Sequence, residues 1–139
     1  MNPADANPLG SVHGGVILRL VDEGGGVAAA RHARRPAVTV AMDGMTFRSP
    51  VPIGSLVTFK ASVNYAGTTS MEVGVRVETE DLLTGEIRHT ATAYLVYVAL
   101  DPAGKPCPVP RLIPETDEDA RRMATAQARM AARLKQRKA

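Results

Sequence analysis

The sequence predicts an α+β domain in which one long, largely enclosed helix is followed by consecutive antiparallel strands that bend around it. Small and apolar residues recur at helical spacing from Gly14 to about residue 33, and from Ala37 onward the period changes to two, with turn signals between the runs. A third observation bounds the size. At 139 residues, 45% hydrophobic and only 4% aromatic, the chain is one domain with a core of Val, Ala, Leu, Ile and Met.

Residues 1–12 form an irregular lead in which Pro3 and Pro8 block regular structure, and they bring Asn7 toward the helix entry. The helix that follows carries a core-facing stripe of Ile17, Leu20, Val21, Gly24, Val27 and Ala28. A second stripe, Leu18, Asp22, Gly25 and Ala29, is small or apolar except for Asp22, a place where an acid is costly. Asp22 is therefore the candidate working group. The plainer reading is a buried acid satisfied by backbone or by an arginine.

Three consecutive glycines, Gly24 to Gly26, each cost about 1 kcal/mol relative to alanine inside a helix. Either the helix packs closely or breaks there, or bare backbone leaves room beside Asp22 for a ligand chain or a partner helix. His13, Gly14 and Gly15 stand at the helix start, where unpaired N–H groups and the dipole favour an oxyanion. Arg31, His32, Arg34 and Arg35 suit the helix C-terminus, with Pro36 preventing continuation. An alternative has one of these arginines meeting a ligand phosphate.

The first strand spans roughly residues 37–48 and is turned by Ser49, Pro50, Pro52 and Gly54. In the second, roughly 55–65, Val57, Phe59, Ala61, Val63 and Tyr65 face one way. The third alternates with Met71, Val73, Val75 and Val77 inward and Glu72, Arg76 and Glu78 outward. The fourth, about 86–100, becomes nearly continuously apolar, as expected in the middle of a sheet.

Residues 101–114 are too rich in proline for a regular element. From Thr116, with Asp119 three positions on, the chain resembles a helix N-cap followed by a helix former of little apolar content. The reading is a domain over residues 1–120 and a basic helical or disordered tail over 121–139. That tail holds seven of the 17 basic residues, so the body, with ten basic and 14 acidic side chains, is mildly acidic despite the net charge of +3.

No apolar run is long enough to cross a bilayer and no signal segment opens the chain, so the cytoplasm is the expected location. Cys107 is alone and has no histidine near it in sequence, which favours a structural role. His13, His32 and His89 are scattered, so no metal site is expected. The basic tail touching RNA or an anionic surface is a minor alternative; no nucleic-acid signature accompanies it in the body.

NPLGSVHGG, LVDEGG, RHARRPAVTVAMDGMTFRSPVPIGS, GTTSMEV and GKPCPVPRLIPET, in this order, together resemble the hotdog-fold acyl-CoA thioesterases of the bacterial and cytosolic brain-type acyl-CoA hydrolase group. The resemblance covers about residues 3–120. It implies a hotdog fold, a long central helix wrapped by a curved antiparallel sheet, in dimers whose sheets join edge to edge. It also implies higher assemblies such as hexamers, trimers of dimers. In that family an asparagine and a central-helix aspartate act together across the dimer interface, and here these are Asn7 and Asp22.

The resemblance further places the coenzyme along Phe47, Arg48, Ser49 and Pro50 and along Gly67, Thr68, Thr69 and Ser70, with His13 beside the substrate. Relatives usually carry alanines where Gly24 to Gly26 stand, which bears on acyl-pocket width. Neither the histidine-plus-PxxPG pattern of dehydratases of this fold nor the aspartate followed by Gly-His-Val-Asn of other hotdog thioesterases is present.

The implied activity is hydrolysis of an acyl-CoA thioester to free fatty acid and coenzyme A, without a cofactor, coenzyme A being part of the substrate. Asp22 would act as general base on water or attack directly, the N–H groups of Gly14 or Gly15 would polarise the carbonyl, and Asn7 would position the water or the thioester oxygen. The alternative is a non-catalytic acyl-CoA sensor or carrier of the same fold.

Overall fold

The computed structural model describes residues 1–138. A short 3-10 turn, Pro3–Asp5, precedes α1 (Gly14–Ala33), four strands β1 (Ala37–Phe47), β2 (Leu56–Ala66), β3 (Ser70–Glu80) and β4 (Ile87–Ala99), and a second helix α2 (Asp117–Lys138). All strand pairings are antiparallel, in the order β1-β4-β3-β2. The nearly unbroken apolar run of β4 thus lies inside the sheet, where both of its faces are covered. This is the α+β plan expected of the hotdog fold.

Alternation along the strands separates the two faces. Met71, Val73, Val75 and Val77 of β3 and Ala91, Ala93, Leu95 and Tyr97 of β4 are buried on the inner face, against Ile17, Val21, Ala29 and Ala33 of α1. The helix runs unbroken through Gly24, Gly25 and Gly26. Its buried row is Ile17, Val21, Gly25, Ala29 and Ala33, four residues apart at each step. This corrects the expected stripe: Val27 is 60% exposed, and a row of Arg19, Glu23, Val27 and Arg31 faces away from the sheet. Arg34, in the left-handed conformation (φ 55°), donates its N–H to the Ala30 carbonyl and closes the helix.

The outer face is covered by α2. Thr116 caps the helix by accepting the Asp119 N–H at 3.0 Å, while Asp119 accepts the Glu115 N–H at 3.3 Å. Glu72, which points outward as the alternation requires, is nonetheless fully buried. Arg129 clamps it with Nη2 at 2.5 Å and Nε at 3.1 Å from both oxygens, and Arg133 adds a contact at 2.9 Å. Arg133 also reaches Asp43 at 2.9 Å, and the Arg129 guanidinium lies 3.8 Å above the Tyr94 ring. The region read as a tail from residue 121 is therefore anchored to the sheet within a helix that begins at Asp117; Ala139 lies outside the described residues.

β1 is an edge strand with β4 on one side only. Register shifts interrupt it after Thr39 and again between Met42 and Met45, where Gly44 takes φ +70°. Val38, Val40, Met42 and Phe47 are exposed along it. No described helix is long and apolar enough to cross a membrane.

Candidate active site

Asp22 lies on the flank of α1 and is half-buried, whereas Glu23 beside it is exposed. Two hydroxyls meet the Asp22 carboxylate. Thr39 Oγ1 donates to Oδ1 at 2.5 Å, and the Tyr97 hydroxyl lies 3.1 Å from Oδ1 and 2.8 Å from the Asp22 carbonyl oxygen. The sheet supplies the pair, because Thr39 of β1 is the cross-strand partner of Tyr97 of β4. Burial, followed by the neighbouring Asp22 charge, pushes the Tyr97 hydroxyl well above its ordinary value and keeps it a proton donor.

Gly25 explains how Tyr97 gets there. A Cβ at this position would stand 2.5 Å from the tyrosine oxygen and 3.2 Å from its Cζ. The glycine run thus serves close approach of helix to sheet, and the space at Gly25 is filled by Tyr97 within the chain. Neither Thr39 nor Tyr97 stands out in the sequence, since both fall within apolar strand patterns. The available signal is a glycine on the buried row three residues after an acid.

The N-terminal lead builds a second part. Asn7 Oδ1 accepts the N–H groups of Leu9 at 2.9 Å and Ser11 at 3.1 Å, a bridge between Ala6 and Val12 closes the loop on itself, and the Ser11–Pro52 bridge with the Val12 N–H donated to the Val51 carbonyl pins it to the β1–β2 connection. Asn7, Gly14, Phe47, Arg48, Ser49 and Pro50 line one cavity of about 410 Å³. His13 is the exposed N-cap residue of α1 without a side-chain capping bond. Among the described residues, no backbone carbonyl outside the helix takes up the N–H groups of Gly14 and Gly15.

Six of the expected site residues therefore share a wall, with Gly15 and His13 adjoining. The rest are elsewhere in the chain. Phe47 pairs with Ala91, whereas Asp22 stands over Tyr97, six residues along β4 and roughly 20 Å away at strand rise. Gly67, Thr68, Thr69 and Ser70 form the β2–β3 hairpin at that far end, where Ser70 faces Val98. No hydrogen bond joins Asn7 to Asp22 within the described chain. Among the described residues, no group of three His, Cys, Asp or Glu side chains is arranged to hold a metal ion.

The family described as Thioesterase superfamily matches residues 9–86. The chain is 44% identical over 117 residues to the uncharacterized acyl-CoA thioester hydrolase YkhA of Bacillus subtilis, covering 84% of this chain and 68% of that one. To the cytosolic acyl coenzyme A thioester hydrolase of Rattus norvegicus it is 34% identical over 131 residues, covering 93% of this chain and 34% of the longer rat protein. Among solved structures, an apo-hexameric acyl-CoA thioesterase superposes with TM-score 0.94 at 40% identity, over 98% of this chain and 87% of that one.

The acyl-CoA hydrolase of Staphylococcus aureus in complex with butyryl coenzyme A and coenzyme A gives TM-score 0.91 at 35% identity, over 99% and 84% of the two chains. Structures of that hydrolase also exist with one asparagine, one aspartate or one threonine replaced by alanine. Those positions are separated by 15 and then 17 residues. Asn7, Asp22 and Thr39 have the same separations here.

Proposed function

This chain belongs to the thioesterase superfamily, and from that premise we propose that it hydrolyses acyl-CoA thioesters to free fatty acid and coenzyme A at a site built around Asp22. The observation that carries the assignment is the Asp22 carboxylate held by Thr39 and Tyr97. Support comes from the matched spacing of Asn7, Asp22 and Thr39 with the substituted positions of the Staphylococcus enzyme.

The reaction needs a nucleophile and a place for the oxyanion, while the thiolate leaves easily. Asp22 takes a proton from water as the water oxygen attacks the thioester carbonyl. The N–H groups of Gly14 or Gly15 receive the developing oxyanion, and collapse of the tetrahedral species breaks the C–S bond. The released thiolate takes up a proton. Direct attack by Asp22, with hydrolysis of the resulting anhydride, is the variant of this route. No cofactor enters either sequence; coenzyme A is substrate and product.

One chain leaves Asn7 remote from Asp22, so the complete site joins Asp22 of one protomer to Asn7 of another. The exposed apolar edge of β1 fits a dimer made by joining two sheets. Assembly of such dimers into hexamers follows the apo-hexameric relative. Phe47, Arg48, Ser49 and Pro50 of one copy and Gly67, Thr68, Thr69 and Ser70 of another then flank the coenzyme, with His13 at the mouth. Residues 1–120 form the thioesterase domain and 121–139 its basic extension. We assign the protein to the cytoplasm, as its cytosolic rat relative is named.

The test is free-thiol release from acyl-CoAs of graded chain length by wild type, Asp22→Asn and Glu23→Gln, each checked for fold and assembly. Turnover in wild type and Glu23→Gln, with a loss on the order of 10²–10⁴-fold in Asp22→Asn, is expected. Binding of acyl-CoA without turnover in wild type would instead make this a sensor or carrier.

A further inference from the structure

Asp22 fixes where a thioester carbonyl must lie, and the interior beside it is filled by the ring of Tyr97. The ring rises from β4, fully buried, and sets its hydroxyl 2.8 Å from the Asp22 carbonyl oxygen and 3.1 Å from Oδ1. Bare backbone receives it. A Cβ at Gly25 would stand 3.2 and 3.3 Å from two ring carbons, and one at Gly26 would stand 3.7 Å from a third. The ring therefore lies flush under the turn of α1 that carries the carboxylate, in the volume that side chains at these two positions would otherwise hold.

Around the ring the layer between helix and sheet is thin. The helix brings Ala29 and Ala33 to it, and β4 brings Ala91, Ala93 and Ala99 on the same face as Tyr97, all of them buried. Alanines on both sides let the two surfaces pack closely without voids. Against them Tyr97 is the largest fully buried side chain among the described residues, and it stands where α1 has no side chain at all. The room next to Asp22 that an acyl chain needs is the room this ring occupies.

The ring is also held in place. In the ladder Tyr97 lies between Thr39 of β1 and Met71 of β3, and its hydroxyl is tied to the helix through Asp22. An acyl chain long enough to push the ring aside breaks the bond from the hydroxyl to Oδ1 and loosens the carboxylate that must act on its own carbonyl. Discrimination against length is thus felt in kcat as well as in KM.

We infer that Tyr97 is a specificity-determining residue of this site: its ring ends the acyl pocket beside Asp22 and confines the substrates to thioesters of short acyl groups. The inference rests on the hydrolase reading of the Asp22 site and adds the substrate class to it. The opposite flank of α1, where a Cβ at Gly24 would stand 3.9 Å from Phe59 Cβ, provides the comparison.

The experiment measures kcat and KM by free-thiol release from acetyl-, butyryl-, hexanoyl- and dodecanoyl-CoA. Calorimetry on S-alkyl thioethers of coenzyme A of the same lengths gives affinities without turnover. Both are run on the full chain as wild type, Tyr97→Leu, Tyr97→Phe and Gly24→Ala, with fold and assembly checked. Leucine removes the ring but keeps the core apolar, which limits the cavity left behind. Loss of the hydroxyl lowers turnover on every chain alike and cancels in the ratio of long to short substrates, so that ratio reports the wall alone.

Wild type should favour butyryl- over dodecanoyl-CoA in kcat/KM on the order of tenfold or more, and Tyr97→Leu should raise the long-to-short ratio by a similar factor. Tyr97→Phe, which keeps the ring, and Gly24→Ala should keep the wild-type order. Wild type that hydrolyses dodecanoyl-CoA as readily as butyryl-CoA overturns the inference even where Tyr97→Leu does not fold. An unchanged ratio in folded Tyr97→Leu overturns it, as does a shift in Gly24→Ala alone, which places the acyl chain on the β2 side. Wild type that releases no thiol from any substrate ends the hydrolase reading by itself. The thioethers then decide on Tyr97: affinity moving toward long chains in Tyr97→Leu supports the wall, and no movement overturns it.

Discussion

Thr39 and Tyr97 face each other across the β1–β4 ladder, and both hydroxyls end on Asp22 of the helix above. The carboxylate is thereby tied to two strands at once, and the tyrosine also holds the Asp22 backbone carbonyl. Rotamer freedom at Asp22 is removed before any ligand arrives, which is what positioning a base requires.

Removing either hydroxyl should therefore affect turnover more than binding. Thr39→Val and Tyr97→Phe each delete a bond to a charged group, of about 1.5–3 kcal/mol, so kcat falls on the order of tenfold or more while KM changes little. The double variant should lose less than the product of the single losses, because one carboxylate is shared. Equal changes in KM and kcat would make these residues structural only.

The resistance of buried Tyr97 to losing its proton predicts an alkaline limb in the stability curve. Unfolded tyrosine releases its proton near pH 10, while buried Tyr97 keeps it to higher pH. The unfolded state then binds fewer protons, so stability is fully present below about pH 10 and declines above it. Melting temperatures followed from pH 8 to 11 should fall more steeply for wild type than for Tyr97→Phe.

Gly25→Ala should be poorly tolerated although alanine is the better helix former. Its Cβ would collide with the Tyr97 oxygen at 2.5 Å, and overpacking of this kind costs about 1–3 kcal/mol. Adding Tyr97→Phe removes the oxygen but leaves ring atoms at 3.2 and 3.3 Å, so thermal stability should recover only in part. Gly24→Ala, where the nearest atom is at 3.9 Å, is the contrasting control.

Glu72 makes α2 indispensable to the sheet. Arg129→Met leaves a fully buried carboxylate with only Arg133, and breaking such a pair costs about 3–5 kcal/mol. Urea unfolding should show this loss, and Glu72→Leu in the same chain should restore much of it by removing the stranded charge.

The exposed edge of β1 gives a test of assembly. Val40 is 55% exposed beside Thr39, and Val40→Lys places a charge where a second sheet would join. Sedimentation should show smaller species, and thiol release should fall although Asp22 and its two hydroxyl partners are untouched.

Much of the fold was legible because periodicity reports burial. The four strands lie within a few residues of the expected runs, and α1 begins at Gly14 as its pattern predicts. The same signal placed Val27 on the core-facing stripe, since spacing alone does not tell which flank of a helix meets the sheet. Glu72 was legible as outward-facing but not as buried; the residues that bury it lie 57 and 61 positions away. Motif order singled out Asn7, Gly14 and Phe47 one by one, but not that they line one cavity, which depends on the loop before α1 packing on the β1–β2 connection. The support for Asp22 was not legible either, because Thr39 and Tyr97 are 58 residues apart in sequence and meet only through strand register.

The clamp on Glu72 also sets an order of events during synthesis. Its carboxylate emerges with β3, while its counter-ions follow 57 and 61 residues later, roughly 3–12 s at ordinary translation rates. Until then that acid must stay hydrated, so the inner layer of helix and sheet condenses first and the outer face remains wet. Closure of the molecule is the task of its last helix, and a nascent chain arrested before Arg129 exposes an ionised sheet surface that disfavours premature stacking with its neighbours on the same message.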